Sequence, residues 1–279
     1  MPVPATEPPP LVITGLRKSF GGVQVLHDFE LTVQAGASGA VAILGQNGAG
    51  KTTLLNLITR LVPADAGRIE VFGHNVLASG AHHLAGFGVA RTFQSPRLLL
   101  DETCLNNVAL GARSVRRDRA RVGGVRGSSG DKGSGGSTAA IRRAMDALDR
   151  VGLAAHAGRI SGTMPFGSRK LIELARALAL QPRLLLLDEP AAGLSDLEES
   201  RLADVLIGLT DTGITLLLIE HRMALVAAAA RRVVMMDGGA IVFDGDAAAA
   251  IASPLVRERY LGAGFDHIEL AEPEGSERP

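Results

Sequence analysis

Eight consecutive residues, Gly45-Gln46-Asn47-Gly48-Ala49-Gly50-Lys51-Thr52, fit the spacing G-x-x-x-x-G-K-[ST]. Glycines here let backbone N–H groups turn inward around an anion, and a helix beginning at the lysine adds the positive end of its dipole. Lys51 would then reach the β and γ phosphates of a nucleotide, and the Thr52 hydroxyl could ligate Mg²⁺. A second group is Asp188-Glu189, two carboxylates that end the apolar run Leu184-Leu185-Leu186-Leu187. At a strand's carboxyl end, pleat alternation points the two side chains differently. Asp188 could hold Mg²⁺ through water while Glu189 orients and deprotonates an attacking water. His221 follows another apolar run, Leu216-Leu217-Leu218-Ile219, and Gln94 follows Arg91-Thr92-Phe93 after a short strand. Alone, the acids read as a solvated strand end, the histidine as structural and Gln94 as unremarkable. Beside a phosphate-binding loop they read as phosphoryl-transfer chemistry. The remaining histidines, such as His82, His83 and His156, show no ligand spacing.

The elements that position these groups follow from hydrophobic periodicity. Val41-Ala42-Ile43-Leu44 reads as a buried strand entering the glycine loop, and apolar Leu54, Leu57, Ile58 and Leu61 predict a helix leaving it. Further on, strands at 184–187, 214–219, 233–236 and 240–243 alternate with helices around 197–209 and 223–230. Continuous apolar strands alternating with helices predict a parallel sheet covered on both faces. Another helix precedes them, with Leu171, Leu174, Ala175 and Leu178 on its apolar face. Near the N-terminus, LVITGLRKSF and VQVLHDFELTV flank Gly21-Gly22 and predict a small antiparallel sheet. The stretch Val108 to Ala139 carries Arg113, Arg116, Arg117, Arg119, Arg121 and Arg126 and then GSSGDKGSGGS, and reads as a mobile insertion between two helical segments.

Composition removes several other functions. The 279 residues suit one large domain, or a domain carrying a subdomain, and the 29 Lys+Arg balance the 29 Asp+Glu, so no basic surface argues for nucleic acid. Aromatics are 3% with no Trp, which leaves no stacking platform for single strands. One cysteine, Cys104, excludes an intramolecular disulfide framework and a multi-cysteine zinc site. The start MPVPATEPPP lacks the basic and apolar regions of a secretory signal, and no apolar stretch approaches the roughly 18 residues of a membrane helix.

In their order along the chain these motifs resemble the ATP-binding subunit of ABC transporters, over residues 11 to 262. The resemblance implies an α/β fold: a P-loop NTPase (RecA-like) core with an N-terminal antiparallel β subdomain and an inserted α-helical subdomain. The core would span 11–87 and 166–262, the helical subdomain 88–165 with a flexible insertion around 113–138, between a disordered tail at 1–10 and an acidic tail at 263–279. It further implies that Phe20 packs on adenine, that Gly45 to Thr53 hold the phosphates of ATP, and that Thr52, Gln94 and Asp188 serve Mg²⁺. Gln94, Glu189 and His221 would be catalytic, and Ser195-Asp196 would form the D-loop. The signature, usually Leu-Ser-Gly-Gly-Gln, is here Met164-Pro165-Phe166-Gly167-Ser168. Its residues Pro165 to Ser168 would meet the nucleotide of an opposing subunit with fewer donors, since Pro165 has neither hydroxyl nor N–H.

Asp188 to Leu194, this signature and the ending Arg259-Tyr260-Leu261-Gly262 are most similar to ATPases of branched-chain amino-acid importers. The expected partners are membrane permease subunits, a second ATPase subunit, non-identical to this one, and, indirectly, a solute-binding protein, with no nucleic acid. The expected location is the cytoplasmic face of the bacterial inner membrane. Alternatives are an ABC ATPase for another cargo, such as urea, short amides or lipopolysaccharide, a soluble ABC-type ATPase without a permease, and a regulatory subunit that binds ATP without hydrolysing it. The single cassette without sustained heptads weighs against the soluble ATPase, and intact Glu189 and His221 weigh against the regulatory subunit.

Overall fold

The computed structural model describes residues 7–34, 39–122 and 135–256. The chain opens with β1 (Leu11–Phe20) and β2 (Val23–Val33), crosses to β3 (Ala40–Gly45), enters α1 (Lys51–Ile58) and returns as β4 (Ala66–Val71) and β5 (His74–Asn75). Strand β6 (Val89–Arg91) leads to helices α2 (Cys104–Val122), α3 (Gly135–Arg150) and α4 (Phe166–Leu178). The alternating half follows: β7 (Leu184–Asp188), α5 (Asp196–Asp211), β8 (Thr215–Ile219), α6 (Met223–Ala229), β9 (Ala230–Asp237) and β10 (Ala240–Asp246). Two short helices, α7 (Ala247–Ala252) and α8 (Pro254–Val256), come last.

Two sheets result. The antiparallel sheet runs β2-β1-β4-β5, with the hairpin expected at Gly21-Gly22. The larger sheet runs β10-β9-β3-β8-β7-β6, parallel except for β10, which pairs antiparallel with β9. Its central strands are apolar throughout because both faces are covered. Val41, Ile43, Leu184, Leu186, Leu217 and Ile219 face α1 and the antiparallel sheet, while Ala42, Leu44, Leu185, Leu187, Leu216 and Leu218 face the helices on the other side. This is the period-two alternation of a strand whose two sides are both core. The carboxyl ends of β3, β7 and β8 therefore lie side by side, which gathers the glycine loop, Asp188-Glu189 and His221 along one edge.

Three sequence expectations are corrected. The helix after the glycine loop stops at Ile58 rather than continuing through Leu61, which is 53% exposed. Arg60 is left-handed at φ +59°, and the N–H groups of Leu61 and Arg60 bond back to the carbonyls of Asn56 and Leu57, the paired bonds of a Schellman ending. The arginine-rich stretch is not loop from the start: α2 continues through it to Val122, since arginine is a good helix former. The glycine/serine run, residues 123–134, lies outside the described residues, as do residues 1–6, Arg259 to Gly262 and the acidic tail. Finally, residues 7–10 are in contact with the body: the Arg183 guanidinium donates to Glu7 at 3.0 Å, and Pro10 O accepts from the Phe72 N–H.

Candidate nucleotide site

The loop joining β3 to α1 is shaped by its glycines. Gly48 and Gly50 have φ of +87° and +96°, and a Cβ on Gly45 would stand 2.4 Å from Met236 O. Only glycine relieves these positions, and the backbone amides they orient precede the N-terminus of α1. Lys51, the first residue of that helix, is buried and donates its ammonium to Gly45 O and to Gln46 O, the latter at 2.9 Å. Burial pulls its pKa down, opposed by the nearby charges of Glu189 and Asp188. Thr52 is exposed and Thr53 half-buried beside it.

Across the sheet edge, Asp188 and Glu189 part company, though by a turn and not by the pleat, since β7 ends at Asp188. Asp188 is buried and its Oδ2 accepts from Arg91 at 2.7 Å, while Oδ1 takes no hydrogen bond among the described residues. Glu189 sits just past β7 at φ +47°, a strained conformation for a side chain-bearing residue, held by its N–H to Ile219 O and by Lys170 donating to its carbonyl at 2.6 Å. That turn swings the Glu189 carboxylate to two other predicted residues. Gln94 Nε2 donates to Glu189 Oε2 at 2.8 Å, and His221 Nδ1 lies 3.9 Å from Oε1. The donor set of Thr52 hydroxyl, Asp188 Oδ1 and the Gln94 amide oxygen is hard oxygen, the chemistry that fits Mg²⁺.

Phe20, 46% exposed, ends β1 with the Lys18 ammonium 5.0 Å from its ring. Pro165 to Ser168 form the start of α4: Pro165 occupies the N-cap without any side-chain cap bond, Phe166 is exposed, and a Cβ on Gly167 would collide with Glu198 Oε1. Ser195 caps α5 in a reciprocal box with Glu198, and Asp196 pairs with Arg222 at 2.9 Å.

Four buried polar residues that sequence reasoning passed over tie these parts together. Glu173, 2% exposed on α4, accepts the Phe93 N–H at 3.2 Å and the Arg97 N–H at 3.0 Å, clasping both ends of the loop that carries Gln94. One turn earlier, Lys170 holds the Glu189 backbone. Glu220, fully buried, accepts the N–H groups of Ala191 and His221. Burial raises the pKa of both carboxyls and lowers that of Lys170, the acids around it opposing the last shift. Arg91 is the fourth. No local signal marked them: Lys170 and Glu173 fall outside the apolar face expected at Leu171, Leu174, Ala175 and Leu178, and they are buried because α4 is covered on most of its sides.

Residues 26–192 match the family described as ABC transporter. The chain belongs to that family. It is 33% identical to the high-affinity branched-chain amino acid transport ATP-binding protein BraF of Pseudomonas aeruginosa, over 91% of this chain and 98% of that protein. The LivG protein of the same description from Salmonella typhimurium is 31% identical over the same shares. The ADP conformation of an ATP-binding cassette of an ABC transporter superposes with a TM-score of 0.75 at 27% identity, covering 91% of this chain and 99% of that one. As an ABC ATPase the chain binds nucleotide, and its family membership brings ATP hydrolysis. No helix among the described residues of this ABC ATPase is long and apolar enough to cross a membrane.

Proposed function

We propose that this ABC ATPase hydrolyses Mg²⁺-ATP at the cytoplasmic face of a bacterial inner membrane to drive import of branched-chain amino acids, or related small polar solutes, through a permease. The observation that carries the catalytic part is the meeting of Gln94 and His221 on the Glu189 carboxylate beside the glycine loop. Glu189 takes the proton of the water that attacks the γ-phosphorus, the bond to the bridging oxygen breaks, and ADP departs. Lys51 and the amides of Gly45 to Thr53 hold the phosphates, His221 steadies the γ-phosphate, and Phe20 supports the adenine. Thr52, Asp188 and Gln94 would hold Mg²⁺, which neutralises charge on the phosphate oxygens.

Pro165 to Ser168 are assigned to the nucleotide of a second, non-identical ATPase subunit. ATP then favours the closed pair because it touches both subunits only when they meet. The helical subdomain, residues 88–165, passes that closure to the permease, and a solute-binding protein acts through the permease alone. The cargo reading rests on the named transport roles of the relatives from Pseudomonas and Salmonella.

The test is to tag the chain, solubilise membranes in mild detergent, and identify what copurifies and in what ratio. Two permeases with a second, different ATPase, whose turnover responds to leucine, isoleucine or valine, support the proposal. A permease whose assembly responds only to urea, amides or lipopolysaccharide overturns the cargo. Recovery from the soluble fraction without any permease overturns transport.

A further inference from the structure

Arg91 ends β6, and its side chain is 6% exposed. Its guanidinium is shared between two elements. One terminal nitrogen donates to Asn56 Oδ1 at 2.8 Å and Thr59 Oγ1 at 2.9 Å, both at the C-terminal end of α1. The other donates to Asp188 Oδ2 at 2.7 Å, and the group lies 4.8 Å from the centre of the Phe93 ring. The end of α1 that receives it is the negative end of the helix dipole, where a cation is favoured. The opposite end of the same helix carries Thr52. A planar guanidinium with fixed donors therefore connects the helix of Thr52 to the strand of Asp188, and occupies one carboxylate oxygen while Oδ1 stays without a hydrogen bond.

We propose that Arg91 is a positioning residue for Mg²⁺: it orients the Asp188 carboxylate so that Oδ1 faces the metal, and it fixes the separation of the two elements that carry Thr52 and Asp188. The inference rests on the reading that Asp188 serves Mg²⁺. Outer-shell partners of this kind typically change metal affinity about 10- to 100-fold when removed. Arg91 touches neither the glycine loop nor Lys51, so nucleotide binding without metal is independent of it.

The experiment measures binding of a fluorescent ATP analogue to the full chain in excess EDTA and in Mg²⁺, and takes the ratio of the two dissociation constants. Melting temperature is recorded in parallel. Arg91→Gln is expected to lower that ratio about tenfold while the EDTA affinity stays within about twofold. Arg91→Lys, which keeps the charge but supplies no planar fork, is expected to lower it less, and serves alone if the glutamine variant does not fold. A lowered melting temperature with an unchanged ratio in the folded variants overturns the proposal and leaves Arg91 a brace of the fold. Asp188→Asn separates the two layers: if it too leaves the ratio unchanged, the Asp188 reading fails, and the role of Arg91 with it.

Discussion

Glu173→Gln tests whether α4 controls the catalytic loop. In the native chain one carboxylate oxygen accepts from the Phe93 N–H, while the other accepts from the Arg97 N–H and from Arg176 at 3.1 Å. A glutamine side chain offers one accepting oxygen, and its NH₂ must face one of the two backbone donors. A buried N–H left unpaired costs about 1–3 kcal/mol. Taking about 2 kcal/mol, the melting temperature should fall by about 3–4 °C for a chain of this size. If half of that cost is spent in holding Gln94 against Glu189, kcat falls about fivefold. The glycine loop and Lys51 are untouched, so Kd for Mg²⁺-ATP should stay within about twofold. Steady-state ATPase assays, nucleotide titration and thermal melts read the three quantities. A lowered melting temperature with unchanged kcat would refute the reasoning, because the clasp would then hold the fold without positioning Gln94.

Other predictions follow from the same geometry. Lys51→Ala should weaken ATP binding at least about tenfold by calorimetry, since the phosphates lose a charge-assisted donor at the loop; unchanged affinity would remove Lys51 from the phosphate role. Pro165→Ser restores a hydroxyl and an N–H at the start of α4, and should raise ATPase activity of the assembled transporter; unchanged turnover would mean that the lost donors do not limit the site. Burial raises the folded pKa of Glu173 and Glu220 above the ordinary 4.5. Between the two values the folded chain holds protons that the unfolded chain has released, so unfolding free energy falls as pH rises through that window. Glu220→Gln should flatten the fall in urea titrations at stepped pH, and an unaltered slope would show that Glu220 does not contribute.

The parts legible in the sequence are those written in adjacent residues. The glycine loop, Asp188-Glu189 and His221 each sit at the end of an apolar run, and strand periodicity suffices to bring them to one sheet edge. Arg91 and Asp188 are 97 residues apart, and Glu173 is 80 residues from Phe93, so neither pairing leaves a local pattern. Lys170 and Glu173 read as the polar side of a helix whose expected apolar face is Leu171, Leu174, Ala175 and Leu178, and only tertiary packing on most sides of α4 buries them. The helix boundaries misread at Leu61 and before Val122 have the same origin. An apolar residue at the right spacing does not reveal a left-handed Arg60, and a run of arginines is as compatible with a helix as with a linker.

The most direct test of the central claim is single-turnover hydrolysis by Glu189→Gln beside the unaltered chain, with ATP binding measured on the same samples. The account predicts retained Mg²⁺-ATP affinity, hydrolysis reduced at least about 100-fold, and accumulation of the closed, ATP-bound pair with the second subunit. Hydrolysis within a few-fold of the unaltered chain would contradict it and remove Glu189 as the base.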